Sequence, residues 1–164
     1  MAVSDGVRRS WRVGAATPDP VAVERLLRLL PTWFGIESAI RDYVDDARHL
    51  TTVLAWPDQA GQAPIGALLL ARHFPTSAEV RLIAVDPAWH REGIGRALLH
   101  YAEISLRADG VRLLSVKTLG PSHPDPGYAL TRAFYHALGF LPIEELHTLW
   151  QGNPCLIMAK FLPE

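Results

Sequence analysis

The sequence predicts an α+β fold: one β-sheet with helices packed on its faces. Two observations predict it. Segments of strand period and of helical period follow one another along 164 residues in the order βααβββαβαββ, and no internal repeat, low-complexity tract or linker interrupts them. The chain is 49% apolar and 20% charged, the balance of a globular protein long enough to bury a core. Residues 1–10 read as a flexible lead-in and 11–164 as a single domain.

Trp11 to Ala15 is a short strand run, closed by Pro18 and Pro20. Asp19-Pro20 then opens a helix that carries Val23, Leu26, Leu27 and Leu30 on one face, and Pro31 stops it. A second helix is expected from Ile36 to about Ala47, with Ile40, Tyr43 and Val44 inward and Glu37, Asp42, Asp45 and Asp46 outward. Leu50–Trp56 and Ile65–Arg72 read as a hairpin joined by a turn-like Pro57–Gly61, and Ala78–Val85 as the next strand, ended by Asp86-Pro87. Helical spacing returns from Gly93 to Asp109, through Ile94, Ala97, Leu98, Tyr101 and Ala102. Leu113–Leu119 is a strand, Gly120–Gly127 a Pro/Gly-rich loop, and Tyr128–Leu138 a helix. Gly139 stands where a helix end wants a left-handed residue. Phe140–Leu149 and Leu156–Phe161 are the last strands.

Charge and composition exclude several function classes. The net charge of −1 lacks the basic excess of a nucleic-acid binder. No apolar run approaches the roughly 18 residues of a membrane span, and Met1–Ser10 lacks the apolar core of a secretory signal. The single cysteine, Cys155, forbids an intramolecular disulfide and reads as a small buried hydrophobe. A cytoplasmic location is expected. The histidines His49, His73, His100, His136 and His147 show no metal-ligand spacing, so no metal is expected.

The most informative stretch runs from Val80 to Leu99: a buried strand, the turn His90-Arg91-Glu92-Gly93-Ile94-Gly95-Arg96, then an amphipathic helix. Gly93 and Gly95 lack a Cβ, so backbone amides there can approach a ligand closely. Those amides are also the unsatisfied donors of a helix N-terminus, with the positive end of the helix dipole behind them. Such a turn suits a pyrophosphate, and Arg91 and Arg96 add positive charge beside it. A ligand-free tight turn would use the same residues. The dinucleotide fingerprint lacks its third glycine here, and the P-loop lacks its Gly-Lys-Ser/Thr.

The strand, its Val-Asp-Pro end, the His-Arg-Glu-Gly-Ile-Gly turn and the Ala-Leu-Leu helix resemble the acetyl-CoA motif of the GNAT superfamily of N-acetyltransferases. That motif reads Gln/Arg-x-x-Gly-x-Gly/Ala; Gly93 and Gly95 match, and His90 stands in place of Gln or Arg. Downstream, Tyr135, Gly139 and Phe140 match the family's Tyr-x-x-x-Gly-Phe, while the asparagine usual before it is absent, with Tyr128 near its place. The resemblance covers about Trp11 to Leu162 and implies a central mixed, mostly antiparallel sheet with helices on both faces. It also implies acetyl-CoA as co-substrate, its pyrophosphate held by Arg91, Glu92, Gly93, Ile94, Gly95 and Arg96 with His90. A β-bulge in the strand ending Ile83-Ala84-Val85 would free backbone groups for the pantetheine arm, and an N–H near Ala84 or Val85 would stabilise the oxyanion.

The chemistry implied is acetyl transfer to an amine. Tyr135 is the candidate general acid, since a phenol is protonated at neutral pH. Glu79 is the candidate base, acting directly or through water; as an isolated strand-end glutamate it would simply be solvated. His123 is an alternative base, and Asp86 reads as a cap rather than a proton carrier. Between the first two helices, Trp33 is expected to line the acceptor site and Phe34 to fill the core. The acceptor is a small-molecule or peptide amine. A non-catalytic acyl-CoA-binding domain, or transfer of a longer acyl group, stands as an alternative. A homodimer is implied by the resemblance alone, because last strands of this fold often pair between subunits.

Overall fold

Two aspartates and two prolines set where helices begin. Asp19 accepts a hydrogen bond from the Ala22 amide at 3.0 Å, and Pro20 takes the first turn of α1 (Pro20–Arg28), where a missing N–H costs nothing. Asp125 and Pro126 repeat the device at α4 (Pro126–Ala137), with the Tyr128 amide 3.0 Å from Asp125 Oδ1. That second Asp-Pro starts the helix two residues before the expected Tyr128. Gly139 takes φ 92° just after α4, as its position requires.

The structure, a computed structural model, describes residues 9–164; of the lead-in expected over 1–10, residues 1–8 lie outside the described residues. The remaining helices are α2 (Glu37–Asp46) and α3 (Ile94–Ala108). The strands are β1 (Trp11–Ala16), β2 (Thr51–Pro57), β3 (Gly66–Phe74), β4 (Ser77–Val85), β5 (Leu113–Leu119), β6 (Leu141–Trp150) and β7 (Asn153–Phe161), in the sheet order β1-β2-β3-β4-β5-β7-β6. Neighbours are antiparallel except β4 and β5, which are parallel. The expected mixed, mostly antiparallel sheet is what forms.

Each face of the sheet carries its own core. Val23, Leu26, Leu27 and Ile40 of α1 and α2 pack on Leu54, Ala67, Leu69, Leu82 and Ala84. Leu98, Leu99, Ala102 and Leu106 of α3 pack on the other face, against Leu68, Val80, Leu114, Val116 and Met158, with Tyr135 and Phe140. Each such buried aliphatic side chain is worth about 1.5–3 kcal/mol.

One irregularity positions everything that follows. Leu69 pairs with Leu82 but Leu70 pairs with Val80, so Arg81 is the extra residue of a β-bulge in β4. The bulge turns Arg81 and Leu82 to the same face. At the same point β4 leaves β5: their pairing covers only Ser77–Val80 with Leu113–Val116. β5 stays paired to β7 as far as Leu119 with Cys155. Beyond Val80 and Val116 the two parallel strands therefore part, leaving a wedge-shaped cleft.

Candidate active site

At the wide end of the cleft, β4 runs into a tight turn. Asp86 caps the short 3-10 turn Pro87–Trp89 by accepting from the Ala88 amide at 2.9 Å. Arg91 and Gly93 then both adopt left-handed backbone, φ 65° and 81°. For Gly93 the requirement is conformational, since an added Cβ would meet open space. Gly95 is different: its missing Cβ would lie 3.4 Å from the Phe134 ring, so the gap lets α3 and α4 approach. α3 starts on Gly93 with no side chain capping it, in contrast to α1 and α4. Among the described residues its first amides have no hydrogen-bond acceptor, and the dipole of a 15-residue helix lies behind them.

Arg91, Glu92 and Arg96 are exposed around these amides. Glu92 is neutralised by Arg9 at 3.1 Å, and the same guanidinium lies 4.1 Å over the Trp89 ring. The ring of the exposed His90 lies with its Nε2 2.8 Å from the Val85 carbonyl and closes the strand end.

Ladder alternation decides which strand groups face the cleft. The Asp86 amide donates to Ile65 of the β2–β3 side at 2.8 Å, so in β4 the backbone of Ala84 points to β3 and that of Ile83 and Val85 to the cleft. Across the cleft in β5, the Thr118 hydroxyl is buried with no hydrogen-bond partner. An orphan of this kind costs about 1–3 kcal/mol unless something satisfies it. The amides of a pantetheine arm laid between the strands would. The uncapped helix start and the unpaired strand edges fit the diphosphate and the arm of one coenzyme A.

Tyr135 is 3% exposed, its ring edge-on to Phe134 at 5.2 Å and to Phe140 at 5.3 Å. Burial pushes its phenol well above the ordinary tyrosine range, and the neighbouring Tyr43 and Tyr128 add to the shift. Tyr128, near the absent asparagine's place, is pushed up to about 12, chiefly by burial. Its hydroxyl donates to the Trp33 carbonyl at 2.7 Å. Trp33 Nε1 in turn donates to Thr131 of α4 at 3.2 Å, and its ring stands edge-on to His90 at 6.3 Å. Trp33 thus spans from α4 to the turn after β4. Phe34 packs edge-on to Tyr43 at 5.7 Å, inside the α1–α2 core. His123 Nδ1 accepts from the Asp125 amide at 3.2 Å and helps to start α4, and no hydrogen bond joins it to Glu79.

At the narrow end of the cleft, on the α1–α2 face, lies a cavity of about 450 Å³. Glu79 forms its floor, 5% exposed and not solvated, within 2.9 Å of Lys117 Nζ and 2.7 Å of His73 Nε2. Burial raises the Glu79 carboxyl, but the hydrogen bonds from Lys117 and His73 outweigh it and hold the group below the usual carboxylate range. Arg81, turned here by the bulge, donates to Asp46 at 2.7 Å and lies 4.6 Å over the Tyr43 ring. Leu149 and Trp150, at the end of β6, close the far wall.

Of this group only Glu79 was legible as a site residue. Lys117 joins it because the parallel register sets Glu79 opposite Ser115, two residues before Lys117 on the same face of β5. His73 joins through an irregularity between Arg72 and Phe74, and Arg81 through the bulge. None of these left a mark in the sequence. Among the described residues no cluster of three or more His, Cys, Asp or Glu could hold a metal ion, and no helix is long and apolar enough to cross a membrane.

Comparison with known proteins supplies the family. The family profile described as an acetyltransferase (GNAT) domain matches residues 49–142. No curated protein sequence matches. Among solved structures, a GNAT-family protein from Desulfovibrio desulfuricans superposes with a TM-score of 0.77 at 24% identity, over 94% of this chain and 100% of its own. The ribosomal-protein-S18-alanine N-acetyltransferase from Escherichia coli gives 0.74 at 19% identity, over 94% and 96%. A GNAT-family acetyltransferase from Elizabethkingia anophelis with acetyl-CoA bound gives 0.67 at 17% identity, over 93% and 98%. The profile spans more than half of the chain and includes the bulge, the parted strands and the uncapped helix, and on that ground the chain belongs to the GNAT family of acetyltransferases.

Proposed function

We propose that residues 11–164 act as one N-acetyltransferase domain that moves the acetyl group of acetyl-CoA to a primary amine by direct attack within a ternary complex. The observation that carries this reading is the uncapped start of α3 at Gly93, opening onto strands that part after Val80 and Val116. The diphosphate sits on the amides of residues 91–96, with Arg91 and Arg96 beside it. The pantetheine arm runs down the cleft along Ile83 and Val85, and the thioester reaches the narrow end beside the Glu79 cavity.

There the amine nitrogen attacks the thioester carbonyl carbon, forming the C–N bond. The developing oxyanion takes a hydrogen bond from the Ile83 amide, which faces the cleft nearer its narrow end than that of Val85, while that of Ala84 points to β3. The C–S bond then breaks and the thiolate leaves with its electron pair. Tyr135 donates a hydrogen bond to that sulfur; its raised pKa favours such a contact over complete loss of the proton. The ammonium proton passes to the Glu79 carboxylate and on through His73 to solvent, and the thiolate takes up a proton from solvent as coenzyme A leaves. Trp33 and His123 border the acceptor on the α4 side of the cleft. The unpaired, buried Cys155 fits a cytoplasmic setting, and a homodimer fits the fold.

The test is release of free thiol from acetyl-CoA with a panel of primary amines, followed with 5,5′-dithiobis(2-nitrobenzoate). Wild type should release thiol with at least one amine, and Tyr135→Phe should lower kcat about 10- to 100-fold with donor affinity unchanged. Tight coenzyme A binding without thiol release from any acceptor would overturn the reading.

A further inference from the structure

Resting on the acetyl-transfer reading, we infer that the acceptor is an amino carboxylate: a small amino acid-like molecule with an apolar body, whose carboxylate is held by Arg81 and Lys117. The cavity's own charges point there. Its two carboxylates are already spent, Asp46 on Arg81 at 2.7 Å and Glu79 on both Lys117 and His73. Its cations are not. Arg81 uses only its Nε on Asp46, leaving the fork of the guanidinium, and Lys117 gives Glu79 one of three N–H donors.

Counting Asp46 and Glu79 against Arg81 and Lys117 leaves the cavity neutral, and His73 makes it positive when protonated. A polyamine entering it would meet no uncompensated negative charge. A ligand carrying its own carboxylate completes the set, since a guanidinium fork binds that group in two-point fashion. The remaining walls are Tyr43 and Trp150, with Leu50 and Leu149. These suit an aliphatic or aromatic side chain, and about 450 Å³ is the size of a small-molecule site. With the carboxylate on Arg81 and Lys117, the amine of such a molecule lies toward Glu79, at the parting of the strands. The acidic outer face of α2 does not recruit the acceptor: Asp45 is paired with Arg48 and faces away from the cavity wall.

The experiment uses matched pairs that differ only in the carboxylate: L-phenylalanine with 2-phenylethylamine, L-leucine with 3-methylbutylamine. Spermidine and a blocked-carboxylate alanyl peptide complete the panel. Binding to the protein–coenzyme A complex is measured by calorimetry and ligand-observed NMR, and thiol release from acetyl-CoA is followed in parallel. At least one amino acid should bind 10-fold or more tightly than its decarboxylated partner. Arg81→Gln and Lys117→Gln should each abolish that preference, Arg81→Lys should restore part of it, and coenzyme A affinity should stay within twofold as a check on folding. Equal or better binding of a carboxylate-free amine, spermidine or the peptide would overturn the inference, as would no binding of any amino acid at 10 mM. The two readings separate cleanly. Selective amino acid binding without thiol release sinks the transfer reading and keeps the site; thiol release that ignores the carboxylate does the reverse.

Discussion

Glu79 shows how a single residue acquires a role that its neighbours in sequence do not announce. On a strand end it would be solvated; here Ala78 and Val80 turn into the α3-side core, and the carboxylate turns to the opposite face, where only two cations make its burial tolerable. The alternation of Ala78, Glu79 and Val80 was visible in the sequence, and so was a candidate base. Its partners were not, because His73 and Lys117 reach it through a strand irregularity and a parallel register that no local pattern encodes. Glu79→Gln keeps the shape and removes the charge. It should lower kcat about 100-fold while the KM for acetyl-CoA stays within twofold, measured by thiol release under saturating donor. The same change should cost about 1–3 kcal/mol by urea denaturation, since charge-assisted hydrogen bonds are lost and Lys117 is left without its partner.

Elements begin and end where particular residues make a terminus cheap; α2 and α3 start without a side-chain cap, and the start of α3 lies at the proposed donor site. α1 and α4 carry Asp-Pro starts; α3 carries Gly93 in a left-handed conformation, with no side-chain cap among the described residues. The glycine pair and the helix behind it were readable from spacing. The second Asp-Pro, at 125–126, was equally readable but hidden in a loop rich in Pro and Gly, and α4 was placed two residues late. These two kinds of terminus predict opposite mutational signatures. Asp19→Ala should destabilise the fold by about 0.5–2 kcal/mol and leave the affinity for coenzyme A unchanged, by calorimetry. Gly93→Ala forces a Cβ into a left-handed residue, at about 1–2 kcal/mol, and moves the amides that hold the diphosphate. If those amides hold the diphosphate as proposed, coenzyme A binding should weaken by 10-fold or more, beyond any loss of stability.

The whole molecule joins two cores through one sheet, and burial against this seam perturbs Glu79, Tyr128 and Tyr135. The mixed, mostly antiparallel pairing came from the family resemblance rather than from periodicity, and the order of the strands from neither, because hydrophobic pattern fixes which face of a strand is buried but not which strand lies beside it. The consequence of that seam is a stability profile that falls at both ends of the pH scale. At the acid end, Glu79 is held below its ordinary 4.5. A lowered carboxyl stabilises the fold above its unfolded value, and that contribution is lost as pH falls from about 4.5 through the folded value. At the alkaline end the sign reverses. Burial raises Tyr128 to about 12 and lifts Tyr135 further still. Below pH 10 the phenols are neutral in both states; above it the unfolded chain ionises first, so stability drops as pH climbs from 10 through the raised folded values. Urea midpoints should thus be level from about pH 5.5 to 9 and decline on either side. Tyr135→Phe removes one of the groups responsible for the alkaline decline while keeping the ring between Phe134 and Phe140. The variant should unfold at wild-type urea concentration at pH 7, lose less stability than wild type between pH 10 and 11, and still be impaired in thiol release. A Tyr135→Phe protein that unfolds early at pH 7 would instead make the phenol a packing group whose loss of activity follows from loss of fold.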